Sequence, residues 1–478
     1  MNAHALIGYA AYLPRHRLRR DEVGAALRTS AGRGERVVAA FDEDSTTMAV
    51  EAAGAVLAAH PERTATAGAI YFATTSPAYF DKTNAAAVHA ALGLPAATFA
   101  ADLAGSARSG IAAWRAAAAS GGFAVAADVR TGRPGSGDET GGGDGAAAFL
   151  FGDPDLAIAD VLAEASETVE VLDRWRAPGA SAGGQWEERF GQHAYLPVLT
   201  RTAASVLREA GVGRADHVVV VSPNAGVIKQ AMKAIVGRRT TTGPPIGHAG
   251  AADAGLGLAD ALDRASAGET ILVLSVADGC DAVLLRATDR LPRMRQSHPV
   301  AEQLATGVAV SYPTYLSWRG WLDREPPRRP EPDRPAAPPS ARAADWKFSF
   351  TGSRCRSCGF VHLPPSRVCK KCRSADDMDS RSLATATGTV ATYTVDRLAY
   401  SPSPPLIDAV VDFDGGGRYT LEVADTEPDA LAVGTRVALT FRRLFTSGGV
   451  HNYFWKARVL EQATVDREAE LVATGEKA

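Results

Sequence analysis

The chain has 478 residues, 46% of them apolar and 22% charged, which is enough for more than one domain and a large buried core. A formal charge of −3 gives no sign of the basic footprint of a nucleic-acid-binding or membrane-surface protein. The start, MNAHALIGYAAYLPRHR, lacks a long apolar signal core, and no run of about 18 apolar residues follows that could span a bilayer. The expected compartment is the cytoplasm.

Ala-rich helix patterns at 43–60 and 84–92 alternate with apolar strand candidates at 68–74, 97–101, 122–127, 217–222 and 271–276. After the second of these strand candidates comes DLAGSARSGIAAW at 102–114, a small-residue turn opening into a helix-like segment at 107–119. Such a turn sets a side chain at a helix N-terminus, where orphan N–H groups and the helix dipole favour negative charge. A cysteine there would be acidified; here the centre is Ala107, between Ser106 and Arg108. Gly132–Gly145 reads as an exposed loop before a buried strand at 146–152. The strands ending in TTSP (74–77) and SPNA (222–225) suggest an internal duplication, with halves at about 1–165 and 195–290. Active sites of α/β folds gather beyond such strand ends.

A helical, aromatic-rich pattern closes the first region at 322. The Pro/Arg-rich stretch 323–344 reads as a linker, its prolines denying it a helix interior. Cys355-x2-Cys358 and Cys369-x2-Cys372, ten residues apart, can fold four thiolates around one tetrahedral zinc or iron, with structural zinc the favoured ion and Lys370 and Lys371 offsetting ligand charge. This ribbon spans 345–380. Short strand-like runs at 387–397, 407–413, 418–423, 435–442 and 451–459 then suggest a small β-barrel over 381–465, followed by a flexible tail at 466–478.

With GTVATYTVDR at 388–397 and HNYFWKAR at 451–458, the ribbon and barrel resemble the zinc-ribbon/OB-fold module of the DUF35 family, which accompanies thiolase-superfamily enzymes. The larger region resembles archaeal-type 3-hydroxy-3-methylglutaryl-CoA synthase through SPAYFDKTNAAAVHAALG (76–93), DLAGSARSGIAA (102–113), GAAAFLFG (145–152), DRWR (173–176), RFGQHAYL (189–196), PNAG (223–226) and YLSWRG (315–320). The resemblance implies an α/β class, a duplicated five-layer thiolase-like fold, usually a homodimer. It also implies a cysteine, a glutamate and a histidine as catalytic residues. Their positions fall on Ala107, Thr75 and Val221, so a covalent cysteine intermediate is not expected.

Other residues are then candidates. His248 in PIGHAGAAD stands where relatives carry an oxyanion-hole asparagine, and can donate to a thioester oxygen or act as a base. Asn224, Tyr79 and Asp81 are expected to face the same cavity, with Thr75, Asp253 and Asp278. Asp81 and Lys82 can instead pair with each other. Ser109, and less directly Ser106, can substitute for the missing nucleophile or serve as ordinary helix-start hydroxyls. Arg108 is a candidate for a phosphate of coenzyme A or for positioning the helix. The expected activity is aldol-type C–C chemistry or direct acyl transfer on an acyl-CoA or carrier-bound thioester. The alternative is a silent scaffold for a thiolase-like partner subunit.

Overall fold

The computed structural model describes residues 4–61, 67–235, 239–241, 244–325 and 332–460. The expected tail and part of the linker lie outside these residues. The chain divides into two units, one of Met1–His89 with Leu94–Asp323 and another of Ala90–Gly93 with Arg324–Ala478.

The first unit is built twice on one plan. Strands β1 (Ala5–Tyr12), β2 (Ala69–Thr74), β3 (Phe99–Ala104), β4 (Gly122–Asp128) and β5 (Gly145–Gly152) assemble in the order β1-β5-β4-β2-β3. Strands β6 (Ala159–Thr168), β7 (His217–Val221), β8 (Arg239–Thr241), β9 (Thr270–Ser275) and β10 (Gly279–Ala287) repeat it as β6-β10-β9-β7-β8. In each half the second strand runs parallel to the third and fourth, and the fifth runs antiparallel to the first and fourth. A single pairing, Leu6 with Ala159, joins the halves into one ten-stranded ladder.

Alternation along the strands decides the layers. Val219, Val221, Ile271, Val273, Val283 and Leu285 face a central core that also holds Tyr9, Ala73, Ala126 and Phe149 from the first half. Between these inner faces run two helices, α1 (Ser109–Ser120) after β3 and α2 (Asp253–Arg264) after β8. The alternate residues Val218, Val220, Leu272, Leu274 and Leu284 face an outer core, covered by Glu188–Glu209 and Ala225–Ala234. The outer face of the first half is covered by the Ala-rich helix Ser45–Ala59, which Asp44 and Thr47 start with a reciprocal capping box. The result is helix, sheet, helix pair, sheet, helix. The first of these helices packs closely against the turn that precedes the second: a Cβ on Gly110 would sit 2.1 Å from the Ala251 carbonyl oxygen.

Two expectations from the sequence change. The glycine-rich stretch 132–145 is no exposed loop. Ser136 caps a short helix at Gly137–Gly141, and Glu139 and Asp144 are fully buried, Asp144 paired at 3.1 Å with the fully buried Arg36. Two prolines of the linker, Pro338 and Pro339, sit in the first turn of a helix, Ala337–Arg342, which is followed by Ala344–Ser349; proline is tolerated in the first turn, where its missing N–H has no partner to lose. In the ten-stranded ladder, β1, β6, β8 and β10 add to the strands expected from the sequence.

In the second unit a three-stranded sheet, β11 (Thr351–Cys355) between β12 (Val361–His362) and β13 (Met378–Ser382), carries the cysteine knuckles. Strands β14 (Gly388–Asp396), β15 (Leu406–Phe413), β16 (Arg418–Ala424), β17 (Arg436–Ser447) and β18 (Val450–Val459) close into a barrel in the order 14-15-16-18-17. Among the described residues no helix is long and apolar enough to cross a membrane.

Candidate active site

The C-terminal ends of the parallel strands all open on one side of the first unit. There Thr75 follows β2, Gly105, Ser106 and Ala107 follow β3, Arg130 follows β4, Pro223 follows β7, His248 follows β8, and Ala277 and Asp278 follow β9; all of them line one cavity of about 120 Å³. Asp173, Arg174, Trp175, Arg176 and Tyr195, from the connection between β6 and β7, complete the wall. This is the crevice beyond strand ends where α/β folds bind ligands.

One buried carboxylate sets the geometry. Asp128, the last residue of β4, accepts from the N–H of Thr75 at 2.7 Å, the N–H of Ser76 at 2.9 Å and the hydroxyls of Thr74 and Ser76 on Oδ1. Its Oδ2 accepts from the N–H of Ala251 at 2.6 Å. Gly250 makes this approach possible: its φ is +57°, and a Cβ there would lie 2.0 Å from Asp128 Oδ2.

His248 is pinned by backbone on both sides, its N–H donating to Gly141 and its carbonyl accepting from Gly143. Its Nδ1 lies 2.7 Å from Asp253 Oδ2, both side chains about 15% exposed (15% and 14%). In a neutral imidazole, a carboxylate facing Nδ1 favours the tautomer with the proton on that nitrogen and the lone pair on Nε2. His248 and Ala107 hold equivalent places in the two halves, each in the turn between a third strand and the inner helix that follows. Ser106 and Ala107 stand at the opening of α1, where the helix dipole favours developing negative charge.

Three guanidinium groups share the wall. Arg174 pairs with Asp138. Arg130 donates to Thr75 Oγ1 at 2.8 Å, and Arg176 donates to the Thr75 carbonyl. Burial lowers the Arg130 pKa below the ordinary arginine value; Arg174 and Arg176 add to this and Asp128 and Asp138 oppose it. Opposite, Tyr195 donates to Asp173 at 3.1 Å, and the Asp278 N–H donates to the Tyr195 oxygen. Burial raises the pKa of both Asp173 and Tyr195, and the Asp173 carboxylate raises that of Tyr195 further.

The structure brings together His248, Thr75, Asp278 and, behind the histidine, Asp253. Other candidates stand elsewhere. Asn224 is spent as the cap of Ala225–Ala234: its Oδ1 accepts from Gly226 and Val227 and its Nδ2 donates to Glu188. Arg108 grips Asp281 through two bonds of 2.8 and 3.1 Å and donates to Ser166 and to the Asp278 carbonyl, so it braces the β9–β10 turn. Tyr79 and Asp81 do not line the cavity; the Tyr79 N–H is held by Asn84, Asp81 is exposed, and Lys82 donates to the Thr83 carbonyl. Ser109 begins α1 outside the lining, whereas Ser106 is within it. Val221 is buried in the central core. Cys280 is fully buried in β10, its thiol pushed up to about 12 by burial and by Asp281.

Asp128, Arg130, Asp138, Asp173, Arg174, Arg176 and Tyr195 carry no role that the sequence alone suggests. Asp173-Arg-Trp-Arg176 and Tyr195 lie within the blocks that carry the resemblance; a charged residue ending the apolar strand AVAAD is the only signal for Asp128.

The cysteine site belongs to the second unit. The sulfurs of Cys355, Cys358, Cys369 and Cys372 all lie within 4.8 Å of one another, with Cys355 to Cys372 at 3.6 Å and Cys358 to Cys369 at 3.5 Å. A tetrahedral zinc with Zn–S of about 2.3 Å requires S–S edges of about 3.8 Å, so the donor set fits one structural zinc.

Residues 348–379 match the model of the ChsH2 rubredoxin-like zinc ribbon domain, and 382–442 that of the ChsH2 C-terminal OB-fold domain. The chain is 31% identical over 338 residues to hydroxymethylglutaryl-CoA synthase of Methanopyrus kandleri, spanning 66% of this chain and 96% of that protein. It is 30% identical to that of Archaeoglobus fulgidus, spanning 66% and 98%. Among solved structures, an HMG-CoA synthase complexed with CoA superposes with a TM-score of 0.57 at 16% identity, over 65% of this chain and 89% of that one. The curacin-pathway HMG synthase in complex with holo donor-ACP gives 0.55 at 18%, over 66% and 88%.

Proposed function

Because this chain belongs to the hydroxymethylglutaryl-CoA synthase family, we propose that its cavity holds an acyl thioester, on coenzyme A or a carrier protein, and acts on it without a covalent cysteine intermediate. The family's cysteine, glutamate and histidine positions map to Ala107, Thr75 and Val221. Alanine has no nucleophilic atom, and Cys280 lies buried outside the cavity.

The observation that carries the reading is the His248–Asp253 hydrogen bond of 2.7 Å, with His248 and Ala107 on one cavity wall. A neutral histidine oriented by a carboxylate is a general base. In aldol-type chemistry Nε2 takes the proton α to the thioester. The C–H pair moves to the carbonyl oxygen as an enolate, and the α-carbon adds to an acceptor carbonyl whose oxygen takes a proton. In direct acyl transfer Nε2 instead takes the proton of the incoming nucleophile as that nucleophile bonds to the carbonyl carbon, and passes the proton to the departing thiolate as the C–S bond breaks. The N-terminus of α1 supports negative charge on the oxygen in either case.

The ribbon's thiolates would hold zinc as a structural ion, and the closed barrel is read as an OB-type module beside it. The exposed edge strand β3, with Phe99 58% exposed, is read as the place where a second copy pairs to form a homodimer. The experiment is α-proton exchange of short acyl-CoAs in D2O, followed by NMR. The wild type is expected to incorporate deuterium and His248→Ala to lose at least 100-fold of that rate. Saturable binding with no exchange and no acyl transfer would favour the scaffold reading instead.

A further inference from the structure

Thr75 is held from three sides by charged groups. Its N–H is taken by Asp128, its hydroxyl accepts from Arg130 at 2.8 Å, and its carbonyl accepts from Arg176. Two guanidinium groups therefore converge on one neutral residue at the cavity wall. Among the described residues neither makes an ion pair with a carboxylate, while the third arginine of the wall, Arg174, is matched by Asp138. A guanidinium has five N–H donors; Arg130 spends one on Thr75 and Arg176 one on the carbonyl beside it. Burial and the neighbouring Arg174 and Arg176 lower the Arg130 pKa, and the Asp128 and Asp138 carboxylates offset this only through space, since neither forms an ion pair with it among the described residues. Burying a charge without a partner is costly, and a bidentate carboxylate is the partner that a guanidinium fits best.

We propose that the acyl group taken by this cavity carries a free carboxylate, which binds Arg130 and Arg176 beside Thr75. The inference rests on the reading of the cavity as an acyl-thioester site and names the substrate class within it. The cavity, about 120 Å³, restricts the acyl group to a short chain. With His248 on the same wall, the carboxylate end would anchor the chain while the α-carbon faces the base. The anion in question is on the acyl group and not on the nucleotide of coenzyme A, because the arginines stand on the wall shared with Ala107 and His248.

The test compares succinyl-CoA with butyryl-CoA, which differ by a carboxylate in place of a methyl, on the zinc-loaded full-length protein, by calorimetry or by fluorescence of the cavity-wall Trp175. The pantetheine thioesters of both acids are measured alongside, which removes the nucleotide phosphates. Succinyl thioesters are expected to bind at least 10-fold more tightly. Arg130→Gln is expected to weaken succinyl binding at least 10-fold and butyryl binding less than 3-fold; Arg130→Lys recovers part of the difference. Arg176→Gln, at an exposed position, gives the same readout should Arg130→Gln fail to fold. Equal binding of the two acids by the wild type, or a preference untouched by both glutamine variants, overturns the carboxylate assignment and leaves the thioester reading standing. Failure of every thioester to bind overturns both.

Discussion

Asp128 and Ala251 are joined at 2.6 Å, carboxylate to backbone N–H, and through that bond the turn after β2 and the turn carrying His248 share one anchor. Asp128→Ala leaves the donors of Thr74, Thr75, Ser76 and Ala251 without their acceptor in a fully buried place. A buried unsatisfied group costs about 1–3 kcal/mol, so the first unit is expected to lose on the order of 3 kcal/mol or more, read from urea denaturation. A loss under about 1 kcal/mol would mean that the strands hold these turns unaided. Gly250→Ala is expected to destabilise by a similar order, because its Cβ meets the same carboxylate.

The dyad predicts a split between rate and affinity. In Asp253→Asn the amide can donate to Nδ1, which moves the imidazole proton to Nε2 and removes the base. Turnover is expected to fall by about 10²–10⁴ with thioester affinity within about 3-fold. A parallel collapse of affinity would assign the pair to ligand positioning.

Arg108 should matter for stability and not for coenzyme A. Its partner Asp281 is only 2% exposed, so Arg108→Gln strands a buried carboxylate at a cost of about 2–4 kcal/mol. Affinity for a CoA thioester relative to the same pantetheine thioester is expected to stay within about 2-fold. A selective loss of CoA affinity would restore a phosphate-binding role.

Cys280 should be chemically silent. With its pKa raised to about 12, its thiolate is scarce at pH 8 and grows only as pH rises toward that value. Iodoacetamide at pH 8 is expected to leave Cys280 unmodified in the native protein and to label it after denaturation, as read by peptide mass spectrometry. Cys280→Ala should keep turnover within about 2-fold; abolished turnover would reopen the covalent mechanism.

The four ribbon sulfurs predict one zinc per chain by elemental analysis. Cys355→Ser removes a buried ligand and is expected to abolish stoichiometric zinc and to unfold the ribbon, since such short segments fold through the metal. Full retention of zinc would point to ligands outside this set.

Much of the scaffold is legible in the chain because its signals are local. Apolar runs near 68–74, 122–127, 217–222 and 271–276 form β2, β4, β7 and β9, and the five strand-like runs after 381 form the barrel. The strands that are not legible include β6, whose sequence ADVLAEASET shows little apolar patterning since several of its residues remain partly exposed. The segment 132–145 reads as an exposed loop because its glycines and acids look solvated, while Glu139 and Asp144 within it are buried against Arg36, about a hundred residues before it in the chain.

The chemical inventory is written in the residues themselves: four thiols at knuckle spacing, an alanine at the turn before α1, and a histidine in a glycine-flanked turn. Those are properties of residue identity and short spacing. Which polar groups remain available for chemistry depends on how the chain folds. Arg108 and Asn224 are spent on Asp281 and on a helix cap, while Arg130, Arg176 and His248, far apart in the chain, reach one cavity. The reason is that parallel strands collect distant loops at one end of their sheet, and hydrogen-bond partners are fixed by that meeting and not by sequence distance.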